Sequence, residues 1–402
     1  MADTNVKPDK VVEIPLSTVE IPVGPQHPAV HEPILIKVYA EGEQVVRAEA
    51  HTGYNHRGIE KLAEKKSFYQ DIFLCGRVCG ICNSVHADCY VRALERILDK
   101  DPPPRAKYLR TLVMELERLH SHMLVLAVTA EIVGFDTLFM HMMRDRELIM
   151  KAKEIVTGNR VLADYIMVGG VRRDLNSEKV DKLKKILSKV EPAIKHYQKV
   201  YEEDVTLRKR LVGVGVISPA EVTTHGLLGP VARASNIPTD ARFHDAYDAY
   251  AEVPFRVITR KECDCWGRSM VRFEESFVSI EICRYILNHL PQGEAVPDER
   301  RLPRRFPEGE AFTTVEAPRG ELTYYVMSKG GISPYRVKIR TPSYNNIINT
   351  VPFYVGHTIA DVPTILASYD PCISCMERAV IVDLRRGGRR VVSLRDLARG
   401  VA

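Results

Sequence analysis

Apolar residues recur along the chain first at strand spacing and then at helical spacing. Across residues 34–40 and 44–50, apolar and polar side chains alternate on either side of Glu41-Gly42-Glu43, as in a hairpin. A small β-sheet is therefore predicted within residues 11–49. Asp101-Pro102-Pro103-Pro104 interrupts the chain, and beyond it Leu109, Leu112, Val113, Leu116, Leu119 and Met123 form one face of an amphipathic helix reaching about Gly134. A second helix starts near Ser177, with Val180, Leu183, Ile186, Leu187 and Val190 on one face and lysines opposite. A third runs from about Arg268 through Phe273, Phe277, Ile280, Cys283 and Leu287 to a stop at Pro291. Three such helices predict a central bundle. Residues 293–344 turn to Pro, Gly and Arg with short β-like runs, and 347–367 read as a helix interrupted by Pro352 and Pro363. Residues 379–384 and 389–394 flank Gly387-Gly388 as in a hairpin. The expected fold is α+β and mainly α: an N-terminal β region over 1–54, a helical bundle over 55–292, and a loop-rich region over 293–402.

Composition narrows the class. The 402 residues suggest two or three domains at about 150 residues each. An apolar fraction of 45% and a charged fraction of 27% describe an ordinary globular protein. The net charge of +5 is too small a surplus to argue for nucleic acid. The richest apolar stretch, 123–143, is broken by Thr129, Glu131, Asp136 and His141, so no membrane span is predicted. The opening MADTNVKPDK has no apolar signal core, which makes the cytoplasm the expected compartment. Nine cysteines there read as thiols or metal ligands, and their odd number prevents complete pairing.

Two Cys-x-x-Cys units stand out: Cys79-Gly80-Ile81-Cys82 and Cys372-Ile373-Ser374-Cys375. Each can place two thiolates on one ion, and the four together suit zinc, an iron-sulfur cluster or nickel. Their surroundings are more specific. Arg77-Val78-Cys79-Gly80-Ile81-Cys82-Asn83-Ser84-Val85-His86 and Asp370-Pro371-Cys372-Ile373-Ser374-Cys375-Met376-Glu377-Arg378 resemble the paired nickel-binding motifs of [NiFe] hydrogenase large subunits. Arg378, where many members carry His, is similar to the energy-converting, membrane-associated branch. Gly24-Pro25-Gln26-His27-Pro28, Asn55-His56-Arg57-Gly58-Ile59-Glu60, Gly169-Gly170-Val171-Arg172-Arg173-Asp174, Asp264-Cys265-Trp266 and Glu316-Ala317-Pro318-Arg319-Gly320 extend the resemblance in order along nearly the whole chain. The fold implied is that of the hydrogenase large subunit, shared with the quinone-site core subunit of complex I, which lacks the cysteine pairs.

The resemblance implies roles. Cys79 and Cys372 would be terminal ligands of nickel, while Cys82 and Cys375 would bridge it to an iron carrying CO and cyanide. Arg77 would favour the Cys79 thiolate, or else be an ion-paired surface arginine. Arg319 would hang over the metals beside Pro318. Ser343, after Pro342, would donate to a cyanide, and His86 would donate to a thiolate or cyanide. Glu32 would receive the proton from a nickel thiolate, with His31 beside it where some relatives carry an acidic residue. Glu60 would hold a second, hard Mg or Fe ion or a proton-path water. Cys75, Cys89, Cys263, Cys265 and Cys283 read as buried thiols. No cysteines remain for an iron-sulfur chain, and no glycine pattern fits nicotinamide or ATP. Electrons would therefore come from a small iron-sulfur subunit with a [4Fe-4S] cluster and a ferredoxin-type donor, with ion-pumping membrane subunits alongside. The expected activity is reversible proton reduction to H₂ by a cytoplasmic subunit on the inner face of the cell membrane. The alternative is a complex I-like core subunit acting on quinone or another acceptor, and a zinc-clamped assembly protein is a third reading.

Overall fold

Gly42, in the left-handed region at φ 59°, lets a two-residue turn join β2 (Leu35–Glu41) to β3 (Gln44–His51), with Glu41 opposite Gln44. β1 (Val19–Val23) adds antiparallel on the other edge of β2, giving the expected small sheet in the order β1-β2-β3. Ile36, Val38 and Ala40, at period two, are buried beneath it. The computed structural model describes residues 18–376 except 29, 30, 299 and 301, and the backbone of 382–383 and 388–389.

The three helices read from periodicity are present as α3 (Pro104–Ile132), α5 (Ser177–Glu203) and α6 (Cys265–Asn288). Between and before them lie α1 (Phe68–Gly76), α2 (Asn83–Leu98) and α4 (Asp136–Thr157). α3 packs against both α4 and α6, so it is the axis of the molecule. It differs from the amphipathic helix expected of it because its polar face is also buried. Arg110 binds Glu95 of α2 at 2.6 Å, Arg118 donates to Glu115 at 3.3 Å, and Arg242 reaches the same Glu115 at 3.2 Å. Buried charges of this kind are tolerated when paired and hydrogen-bonded.

The stretch expected to be loop-rich contains a second sheet. β4 (Phe306–Ala317) and β5 (Gly320–Gly331) form a long antiparallel hairpin, and β6 (Arg336–Arg340) pairs with β5. Pro, Gly and Arg masked a strand pattern in which Val315, Ala317, Leu322, Tyr324 and Val326 are buried. Since Ala317 pairs with Gly320, the turn consists of Pro318 and Arg319 alone. The interrupted helix resolves into α7 (Pro342–Asn349), two short 3₁₀ turns and α8 (Val362–Ser368). Of the final hairpin, Val382–Asp383 pairs with Gly388–Arg389, and the rest lies outside the described residues. One apolar core runs continuously from Val23 to Met376.

Candidate metal centre

The front cysteine pair occupies the connection between α1 and α2, and the back pair follows α8. Local sequence shapes both. Ser67 and Gln70 form a reciprocal capping box that starts α1. The N-terminus of α2, immediately after Cys82, is capped from another element: the buried Glu117 carboxylate of α3 accepts from the Ser84 and Val85 amides at 2.9 and 3.1 Å, and Lys153 pairs with it at 3.3 Å. At the back, Asp370 adopts φ 56°, and Cys372 leads into a 3₁₀ turn, Ile373–Cys375. Arg57 joins the two sides, donating to the Arg77, Val78 and Ser374 carbonyls at 2.8–2.9 Å.

Chain regions 293 positions apart thus meet at one point. The Cys79 and Cys372 sulfurs lie 3.2 Å apart. Cys79, Cys372 and Cys375 form one compact donor group, and Cys82, His86 and Cys375 form another. All four thiols are at most 5% exposed. Hydrogen bonds from Cys372, Cys375 and Cys82, and the Arg319 guanidinium, hold the Cys79 thiol well below its usual range despite its burial. Cys375, the donor to Cys372, Cys79 and Cys82, is pushed well up. One ionised sulfur among neutral neighbours is what the buried set holds beside the Arg319 cation, and a soft metal would displace the remaining protons. The donor set therefore fits a nickel-iron centre.

Arg319, at the hairpin tip, is 3% exposed. Its Nε and Nη2 donate to the Asp370 carbonyl and carboxylate at 2.8 and 2.7 Å, and Nη1 donates to Ser121 Oγ at 3.3 Å. Pro318 and Pro342 are both buried. Ser343 Oγ accepts from the Cys372 amide at 3.3 Å. His86 Nε2 lies 3.7 Å from Cys375 Sγ while Nδ1 faces the Tyr324 hydroxyl at 2.8 Å, and burial brings its pKa down to about 4. The Glu32 carboxylate accepts from the Ile373 and Ser374 amides. Burial and the Cys79 charge push its pKa up, against those amides and Arg319. His31 pairs with Glu131 at 3.3 Å. His31, Glu32, Arg319 and Asp370 border a cavity of about 330 Å³ otherwise walled by apolar side chains, among them Leu124, Val128, Phe139 and Leu366.

For Arg77 the ion-paired alternative holds. Arg77 points its charge away from Cys79 into a bidentate pair with Asp164, and the cation acting on Cys79 is Arg319. Glu60 accepts from Arg336 and Lys338 at 3.1 and 3.4 Å and from the Ile339 amide at 3.0 Å. Among the remaining thiols, Cys75, Cys89, Cys265 and Cys283 are buried as expected, whereas Cys263 is half-buried. Sequence reasoning left Arg57, Asp370, Ser121 and Tyr324 without roles. The motifs containing Arg57 and Asp370 signalled their place, but nothing in the sequence indicated their partners.

Comparison with known proteins follows the same lines. Residues 133–305 and 303–378 match the family described as respiratory-chain NADH dehydrogenase, 49 Kd subunit, and residues 57–127 match nickel-dependent hydrogenase. The carbon monoxide-induced hydrogenase of Rhodospirillum rubrum is 41% identical over 90% of this chain and 100% of its own. A subunit of the F(420)H(2) dehydrogenase of Methanosarcina mazei is 38% identical over 89% of this chain and 96% of its own. A chain in the structure of the membrane-bound sulfane sulfur reductase, an archaeal respiratory membrane complex, superposes with a TM-score of 0.86 at 34% identity, covering 91% of this chain and 100% of that one. No helix among the described residues is long and apolar enough to cross a membrane. The chain belongs to the oxidoreductase family that unites [NiFe] hydrogenase large subunits with the 49-kDa core subunit of respiratory complex I.

Proposed function

We propose that this chain is the catalytic subunit of an energy-converting [NiFe] hydrogenase. It reduces protons to H₂ reversibly with electrons from ferredoxin, delivered through a partner subunit with a [4Fe-4S] cluster, on the inner face of a membrane whose other subunits move ions. The observation that carries this reading is the convergence of four buried thiols on one point beside a buried arginine. Cys79 and Cys372 would hold nickel, and Cys82 and Cys375 would bridge it to an iron with CO and cyanide. Such a centre, when bound, supplies the open coordination position and the redox change. The chain supplies the rest. Arg319, fixed by Asp370 and Ser121, holds a positive charge beside the sulfurs. Ser343, accepting from the Cys372 amide, keeps its O–H for donation toward a cyanide. His86 presents Nε2 to Cys375. Glu32, poised by burial to bind a proton, takes it from the cluster side and passes it toward the cavity and the His31–Glu131 pair.

The apolar cavity beside Glu32 and Arg319 favours a second reading, a complex I-like core subunit acting on quinone or another acceptor. Metal analysis and infrared spectroscopy of the purified complex separate the two. Nickel with iron and CO and cyanide bands support the hydrogenase; an absence of metal supports the second reading, and zinc supports neither. Cys372→Ser is expected to lose both nickel and H₂ activity, because a hydroxyl is a poor ligand for a soft metal. Normal nickel content and turnover in that variant would refute the assignment.

A further inference from the structure

Tyr324 stands on β5, the middle strand of its sheet, paired with Thr313 of β4 and Ile339 of β6. Leu322, Tyr324 and Val326 share the inward face at period two, so the ring enters the core and is wholly buried. α2 packs on that sheet, with Cys89 Sγ 3.6 Å from the Leu322 carbonyl and Thr313 Oγ1 donating to the Cys89 carbonyl at 2.8 Å. One turn earlier on α2, His86 meets the phenol. The two rings cross at 79° with centroids 5.9 Å apart, and the Tyr324 hydroxyl lies 2.8 Å from Nδ1. Nε2, on the opposite side of the imidazole, lies 3.7 Å from Cys375 Sγ.

A neutral imidazole carries one N–H, which either nitrogen can hold. With the proton on Nδ1, the ring would donate to the phenol oxygen and turn a bare Nε2 toward Cys82 and Cys375, the two thiols with which it forms a compact donor group. His86 would then be a metal ligand. With the proton on Nε2, the ring donates to the Cys375 sulfur, and Nδ1 must accept. The phenol decides between the two. Burial holds Tyr324 well above its usual pKa, so its oxygen keeps the hydrogen. Its other neighbour is the Cys75 thiol, and sulfur is the weaker acceptor. The O–H therefore goes to Nδ1, which leaves the ring proton on Nε2. A metal-bound sulfur, ionised and able only to accept, suits a charge-assisted N–H donor and repels a bare nitrogen.

We propose that Tyr324 is a positioning residue of the cluster: its hydroxyl donates to His86 Nδ1, fixes the imidazole with its proton on Nε2, and so makes His86 a hydrogen-bond donor to the Cys375 sulfur instead of a metal ligand. The inference deepens the hydrogenase reading, on which it rests for the metal-bound sulfur. Outer partners of this kind orient the groups around a metal and tune its electron density. The donated N–H draws charge from Cys375, the sulfur proposed to bridge nickel and iron, so losing the phenol O–H is felt at both metals. The role needs no proton to leave the ring.

The test uses the full-length chain in its purified complex, labelled with ¹⁵N-histidine. Solid-state ¹⁵N spectra, with the His86 signals assigned by their loss in His86→Gln, should show a protonated Nε2 and a bare Nδ1 shifted by a hydrogen bond. Tyr324→Phe should lose that shift, displace the CO and cyanide infrared bands, retain nickel and iron, and lower turnover by about tenfold. Tyr90→Phe is the control. Its ring meets Tyr324 edge-on at 6.2 Å, but its hydroxyl has no hydrogen-bond partner among the described residues, so none of these readings should move. A protonated Nδ1 in the wild type would overturn the proposal and make His86 a ligand, and that measurement needs no variant to fold. Unmoved infrared bands in Tyr324→Phe would overturn it as well. A complex without nickel and iron would overturn the hydrogenase reading instead, and the ¹⁵N spectrum would still decide which nitrogen holds the proton.

Discussion

Glu32 distinguishes proton delivery from metal assembly. Its Oε2 accepts the Ile373 and Ser374 amides that shape the back cysteine turn, so the residue is a brace there in addition to the proton carrier proposed above. An amide of the same shape retains an oxygen for those two donors but cannot carry a proton. Glu32→Gln is therefore expected to leave metal content and the CO and cyanide bands unchanged while H₂ production falls by about a hundredfold. Metal analysis paired with steady-state turnover checks this. Loss of the metals would make Glu32 a brace only, and full turnover would move the proton elsewhere. Arg77 shows why proximity in sequence misleads at this scale. Arg77 is two positions from Cys79, yet its charge goes to Asp164.

At the scale of elements, the β4–β5 hairpin delivers Arg319 to the cluster, and its tip rests on Gly229. A Cβ built on Gly229 would lie 2.3 Å from the Arg319 carbonyl oxygen and 2.5 Å from Gly320 Cα, backbone atoms that cannot rotate away. Gly229 itself sits at φ +64°. Gly229→Ala should therefore displace the hairpin tip as well as strain the backbone, destabilising the protein by more than the roughly 1–2 kcal/mol of left-handed strain alone and lowering turnover with it. Gly42 is the control, because it has a similar φ of +59° and nothing within 4 Å of its Cβ position. Gly42→Ala should carry only the left-handed backbone cost, about 1–2 kcal/mol, and leave turnover unchanged. Thermal denaturation and activity of the two variants, side by side, separate strain from displacement; equal turnover in both would remove Gly229 as a support for Arg319.

The whole molecule is organised around buried ionic pairs on α3 and α6, and these set its response to acid. His122 of α3 donates to Glu275 of α6 at 2.9 Å, and Glu275 also accepts from Arg233 at 2.6 Å. Burial brings the His122 pKa down to about 4, only partly offset by Glu275. Between about pH 6.5 and pH 4 the unfolded chain binds a proton that folded His122 refuses, so stability falls as the pH falls through that window. The slope is up to roughly 1.4 kcal/mol per pH unit for this group. Glu275, held low in spite of its burial by Arg233 and His122, extends the loss to still lower pH. Denaturant titrations of wild type and His122→Gln between pH 4 and pH 7 should show a shallower acid slope in the variant. Parallel slopes would show that His122 does not set the acid limit.

Periodicity is local, and what depended on it was legible in the sequence. The β2–β3 hairpin and the helices at Pro104–Ile132, Ser177–Glu203 and Cys265–Asn288 follow from repeats within a few residues of one another. The four-thiol donor set was equally visible, because Cys-x-x-Cys brings two sulfurs together within one turn of chain. α2 and α4 gave no clear stripe: α2 is buried on nearly every side, and its polar residues are paired inside the protein. The β4–β5 hairpin was hidden by its Pro, Gly and Arg content. Tertiary structure alone decided that Arg57 fastens the two cysteine pairs, that Glu117 caps the helix after Cys82, and that Arg319 is held by Asp370. Each of these contacts joins groups far apart along the chain, where sequence spacing carries no information about distance and packing supplies all of it.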